Sequence, residues 1–270
     1  MDLTGLIRKK LSLFILLISM VLGQGCSHSS VEDSYPGDFP FSREGRVHPH
    51  VLEQLRAEWI TSAYFDRGMH MEGSQFRAVA FMEMIQRFHP EDRWNAVLLN
   101  CRDDYQGIIS IEDILEYDLR LALEMKLTPG AQRPDWLKPM VVVVPDFKSA
   151  PNQERFMTAN IRELRFVQLS DYYAPLDAVT FKSMNAHRGG QAFKDNCLFC
   201  HSLKGVGGNK GTGLLNAYDF AKGVDGSRFK KDFAAFHNRN NVDKQDMEQF
   251  VDTDTLRRIV VFLREMQGSS

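Results

Sequence analysis

The sequence predicts two domains: an α+β region over residues 47–175 and an all-α region over residues 180–270. Three observations carry that expectation. Short runs of β-branched and apolar residues, among them Ala96-Val97-Leu98-Leu99, Ile108-Ile109 and Val141 to Val144, alternate with helical patterns up to about residue 170. Beyond Ala174-Pro175 the strand-like runs stop and helical spacing takes over. A stretch rich in Ser, Pro, Gly and Asp over residues 26–46 reads as a tether ahead of both regions. With 43% hydrophobic residues in a chain of 270, each region has enough apolar material for its own core.

From the N-terminus, Arg8, Lys9 and Lys10 precede the apolar run Leu11 to Leu22, the form of an export signal over residues 1–25. That run is too short for a bilayer core of about 30 Å. Gly23-Gln24-Gly25 then lead into Cys26 and the polar Ser27-His28-Ser29-Ser30. This arrangement resembles a bacterial lipoprotein signal, with Leu22 one place early. The resemblance implies a lipidated Cys26, a membrane anchor and a periplasmic location.

The folded regions follow. Val51, Leu52, Leu55, Trp59 and Ile60 have the spacing of a first packed helix, and Phe76 to Phe88 that of a second, stopped by Pro90. Two buried strands are expected on either side of Asp103-Asp104-Tyr105-Gln106-Gly107. Ile111 to Leu127 reads as a helix ending at Pro129-Gly130. Val141 to Val144 and Ile161 to Leu169 read as further strands. A last helix, capped by Asp252 or Thr253 and ended by Gly268, carries the stripe Leu256, Ile259, Val260 and Leu263.

Within the helical region stands Cys197-Leu198-Phe199-Cys200-His201, the C-x-x-C-H pattern of covalent haem attachment. Two thiols three residues apart can add to the two vinyl groups of one porphyrin. The adjacent His201 then lies under the iron as its proximal imidazole. A zinc site would need a second Cys/His pair at ligand spacing, and the chain has no other C-x-x-C. One covalent haem c is therefore expected. With Cys26 assigned to lipid, Cys101 is left alone and no intrachain disulfide framework is expected.

The surroundings of the pentad resemble class I cytochrome c over about 85 residues. Gly189 and Phe193 have the Gly-x-x-x-Phe spacing of that family's first helix, and Phe262 is the aromatic expected where it crosses the last helix. Gly211-Thr212-Gly213-Leu214 resembles the family's Gly-Pro-x-Leu element, whose proline carbonyl holds the proximal histidine. Thr212 replaces that proline and still offers a carbonyl. Met247-Glu248-Gln249-Phe250 resembles the family's Met-Pro-x-Phe, which implies Met247 as the distal iron ligand. His237 is the rival, since a second imidazole would lower the potential relative to a thioether. Met266 reads as core. His28, His48, His50, His70, His89 and His187 have no metal-like pairing.

Upstream, the element order over residues 94–168 is similar to part of the sulfite-oxidase-type molybdopterin domain. Asp103-Asp104-Tyr105 stands at that family's Asp-Gly-Tyr, and Pro139 and Pro145 bracket a strand as its prolines do. Val141 replaces the family's arginine, and the segment bearing its molybdenum-ligating cysteine is missing. Cys101, the only thiol on offer, reads as a small core residue, so molybdopterin binding is not expected.

A net charge of −2 and the absence of a polybasic run give no sign of a polynucleotide partner, and none is expected. Lys204, Lys210, Lys222, Lys230 and Lys231 are placed to frame a haem edge and steer an acidic redox protein. The expected function is an exported, lipid-anchored carrier of single electrons rather than an enzyme. The alternatives are a molybdopterin oxidoreductase with the haem as electron outlet, and a haem-based gas sensor.

Overall fold

Eight strands and eight α-helices occupy the described part of the chain. The strands are β1 (Arg46–Val47), β2 (Ala57–Thr61), β3 (Gln75–Ala80), β4 (Ala96–Cys101), β5 (Gln106–Ser110), β6 (Arg120–Lys126), β7 (Val141–Val143) and β8 (Ile161–Val167). The helices are α1 (Ala63–Met69), α2 (Phe81–Phe88), α3 (Ile111–Glu116), α4 (Leu169–Asp177), α5 (Met184–Asn196), α6 (Leu214–Ala217), α7 (Gly223–Phe236) and α8 (Thr253–Gln267). Among the described residues one 3-10 turn spans Glu154–Met157. The computed structural model describes residues 46–47, 52, 54–88, 93–134, 137–237 and 251–269. The expected export signal over residues 1–25, Cys26, almost all of the expected tether, Met247 and the histidines at 28, 48, 50 and 89 lie outside the described residues. Among the described residues no helix is long and apolar enough to cross a membrane.

The α+β region is built from two four-stranded antiparallel sheets, in the orders β1-β8-β4-β5 and β2-β3-β6-β7. Inward side chains of both, including Phe76, Val97, Leu99, Ile109, Leu121, Val142, Leu164 and Phe166, meet in one core. Burying these chains is the main source of its stability. Local signals start its helices. Ser62 accepts from the Phe65 N–H (3.2 Å) to cap α1 while its hydroxyl donates to the Val144 carbonyl (2.7 Å). Ser110 caps α3 in the same way, accepting from the Asp113 N–H (2.9 Å).

The four expected strands at β4, β5, β7 and β8 are present. Three helical expectations are corrected. Trp59 and Ile60 lie on β2, paired to β3 with Trp59 opposite Arg77, instead of on a helix. Phe76 to Ala80 form β3, and the helix that follows begins only at Phe81. The segment Ile111 to Leu127 is a short helix followed by a strand. Tyr117 ends α3, Asp118 takes a left-handed backbone (φ 46°), and β6 then runs between β3 and β7. In each case pairing with a strand distant in sequence overrides a local spacing that suits a helix.

Helix α4 covers the outer face of the first sheet. Ala96, Leu98 and Ile108 point outward there and pack against Leu169, Tyr172 and Tyr173. The same two tyrosines also pack on the core of the helical region. The change of texture at Ala174-Pro175 therefore falls inside a helix shared by both regions, which sit within a single compact unit.

In the helical region α5 crosses α8. A Cβ on Gly189 would stand 2.1 Å from the Arg258 carbonyl oxygen, so only glycine allows the backbones to approach this closely. Phe262 fills the crossing as expected, with its ring 5.4 Å from Phe193 and 5.2 Å from Phe181. Asp252 caps α8 by accepting from the Thr255 N–H (2.7 Å), and Gly268 ends it. Glu265 of α8 accepts from the Lys182 N–H (2.6 Å) and the Ser183 hydroxyl (2.9 Å), which ties it to the start of α5.

Gly189→Ala is expected to cost at least about 2 kcal/mol in denaturant unfolding, because backbone cannot yield as a side chain can. Gly223→Ala, at the start of α7 where a Cβ meets nothing within 4 Å, should change stability by no more than about 0.5 kcal/mol.

Candidate haem-attachment site

The pentad Cys197 to His201 sits where α5 runs out. Asn196 ends the helix, and Cys197 caps it through its N–H to the Phe193 carbonyl (2.8 Å). One more helix-like turn follows, with His201 N–H donating to the Cys197 carbonyl (2.8 Å) and Cys200 N–H to the same oxygen (3.1 Å). That turn sets both thiols and the imidazole on one short piece of backbone. Cys197, Cys200 and His201 are all half-buried.

The chain then folds back under the histidine. Gly211 N–H donates to the Cys200 carbonyl (2.7 Å), and His201 Nδ1 lies 2.8 Å from the Thr212 carbonyl oxygen. With Nδ1 as the donor, Nε2 is the ring nitrogen presented for ligation. The Thr212 carbonyl thus stands where an orienting acceptor was expected. Gly211 makes the fit possible, since a Cβ there would fall 2.4 Å from the imidazole ring. Around the site lie the apolar side chains of Leu198, Leu203, Val206, Leu214 and Phe229. Burial pushes the Cys197 thiol up, with Cys200 adding to the effect, so the sulfur stays protonated at neutral pH.

No protein-family model matches this chain, and no curated protein is significantly similar to it. The chemistry rests on the residues themselves.

Those residues fit a covalent haem. Two thiols flank one turn, an imidazole is oriented by a carbonyl on its far nitrogen, and a glycine clears the ring. Among the described residues no three His, Cys, Asp or Glu side chains converge as a metal cage.

One part of the site escaped the sequence reading. The turn joining β4 to β5 docks directly on the attachment loop. Gln106 N–H donates to the Phe199 carbonyl (3.0 Å), and Asn209 N–H donates to the Asp104 carbonyl (2.8 Å). The Tyr105 ring stacks on Phe199 with centroids 4.9 Å apart, and Lys210 Nζ lies 5.8 Å over the same tyrosine. Gly208 lets the two backbones meet, since a Cβ there would stand 2.3 Å from the Phe199 oxygen and 2.9 Å from the Asp104 oxygen. A polar chain stiffens the contact from behind. Tyr172 hydroxyl donates to Gln106 (2.6 Å), Gln106 to Asn100 (2.8 Å), and Asn100 to Glu163 (2.6 Å). The turn itself is legible, since Asp-Asp between two apolar runs marks one and Asp104 is left-handed (φ 67°), but no residue in it signals the loop on which it docks.

Cys101 is a core residue of β4, and burial pushes its thiol up, with Asp103 adding to the effect. Met266 is buried in α8 as expected. Among the lysines, Lys222 pairs with Asp219 (2.8 Å), while Lys204 and Lys231 are exposed.

Thr212→Ala, which keeps the carbonyl, should leave the His201 Nδ1–H signal in nitrogen NMR where it is. Gly211→Ala should shift or broaden it, because the added methyl occupies the ring's position.

Proposed function

We propose that this chain carries single electrons by means of one haem attached covalently through Cys197 and Cys200, with His201 as proximal ligand. The observation that carries the reading is the 2.8 Å bond from His201 Nδ1 to the Thr212 carbonyl, formed within the C-x-x-C-H turn. A bound haem would supply reversible one-electron chemistry at iron.

The protein's own contributions follow from the geometry. The Thr212 carbonyl fixes the plane and tautomer of the imidazole and raises its basicity as a ligand. The half-buried thiols hold their sulfurs beside the apolar interior formed by α5, α7 and α8. That apolar wall excludes water and keeps the redox centre's surroundings at low dielectric. The helical region resembles class I cytochrome c in its α5–α8 crossing, in Gly189 and Phe193, and in the carbonyl on its histidine. On this reading the partner is another redox protein that docks near Lys204 and Lys231. The export signal and a lipidated Cys26 hold the protein at the periplasmic face of a membrane.

The test is haem staining after denaturing electrophoresis, with iron and molybdenum measured on the same purified sample. The expected result is a stained band with about one iron per chain and no molybdenum. Cys197→Ser combined with Cys200→Ser should abolish the band, and a band that persists would refute the attachment. Stoichiometric molybdenum would make the upstream region a molybdopterin enzyme instead. Cys26→Ser should move the protein from the membrane fraction to the soluble one.

A further inference from the structure

The fold brings a second imidazole to the attachment site. Helix α7 ends at Phe236, and His237 caps it through its N–H to the Phe233 carbonyl (2.8 Å). The His237 ring stacks on Phe233 with centroids 4.6 Å apart and planes 13° apart, and it meets Phe236 nearly edge-on at 5.5 Å. Its centroid lies 6.1 Å from that of His201, with the ring planes at 40°.

That separation has a chemical meaning. Iron–imidazole bonds of about 2 Å on each side, with each ring nitrogen about 1.1 Å from its ring centre, put two ligating imidazoles about 6 Å apart. No particular angle between the two ring planes is required, because each ring turns about its own bond to the metal. A 40° angle is therefore compatible.

His237 does not reach this place through a floppy loop. Phe229 of α7 packs edge-on against Tyr218 (5.3 Å) and Phe220 (5.4 Å), and Phe220 is fully buried. The Tyr218 hydroxyl donates to Asp232 (2.9 Å), and Gly226 brings α7 against Val260 of α8. The wedge that seats α7 thus sets where its last residue falls. The other described histidines are placed elsewhere, His70 as the cap of α1 and His187 on α5 beside Phe181 (5.5 Å).

We infer that His237 ligates the second face of the haem, so that the iron is held between two imidazoles and Met247 is not a ligand. This inference rests on the haem reading above. It closes both axial positions, which disfavours a gas-sensing role, and it lowers the reduction potential relative to a histidine–methionine pair.

The test uses the full chain with its haem attached, read by near-infrared absorption and electron paramagnetic resonance. The oxidised protein should be low-spin and lack the sulfur-to-iron charge-transfer band, and Met247→Ala should leave that spectrum as it is. His237→Ala should lose the low-spin signal, and its ferrous form should bind carbon monoxide without prior denaturation. Should that variant not accumulate, His237→Met keeps the axial position filled and should gain the sulfur band with an upward shift in potential. A sulfur band in the unaltered protein that Met247→Ala removes would overturn the inference and leave covalent haem intact. Absence of any covalent haem would instead defeat the underlying reading, and the stained gel separates the two failures.

Discussion

The crossing of α5 and α8 at Gly189 is the constraint on which the helical region depends. The two backbones approach so closely there that a single methyl group would overlap a carbonyl oxygen. That approach places Phe262 against Phe193, one turn before Cys197, and so fixes where α5 ends. The attachment turn inherits its position from the crossing. From its other end, α8 grips the segment after α6. Gln267 accepts from the Phe220 N–H (2.7 Å) and donates to the Tyr218 carbonyl (3.0 Å), and Arg264 donates to the Phe220 carbonyl (3.0 Å). One helix therefore registers the thiols on one side and the base of α7 on the other.

The helical region was largely legible in the sequence because its determinants are local or carried by special residues. Gly189, Phe193, Phe262, Asp252 and Gly268 each have one physical task, and each is found performing it. The α+β region was legible only where strands are buried on both faces and show as continuous apolar runs, as in β4 and β7. Strands β2, β3 and β6 carry mixed patterns that also suit a helix. Their identity comes from partners forty or more residues away in places, as with Arg77 of β3 and Glu124 of β6, joined at 2.8 Å. Periodicity does not encode such partners.

The candidate site divides in the same way. The pentad and the Thr212 carbonyl follow from spacing, because all of their atoms lie within sixteen residues of chain. The seat of the β4–β5 turn on Phe199 and Asn209 is written in no local spacing. Nothing in Asp103-Asp104-Tyr105 names a partner a hundred residues on. The nearness of His237 to His201 belongs to this second class, since it depends on how α7 is wedged rather than on any motif.

The seating of the β4–β5 turn on the attachment loop also has a bearing on the order of assembly. Contacts between residues 104–106 and 199–209 close a loop of nearly a hundred residues, and such closures carry an entropic cost that delays them relative to local structure. Helix α5 and its terminal turn can form from nearby residues alone, whereas the wall that Tyr105 and Asp104 raise beside Phe199 arrives late. Until then the Phe199 carbonyl and the Asn209 N–H lack their partners in the β4–β5 turn. On the proposed haem reading, attachment at Cys197 and Cys200 would act on a turn already shaped by α5 but not yet braced by the sheet region.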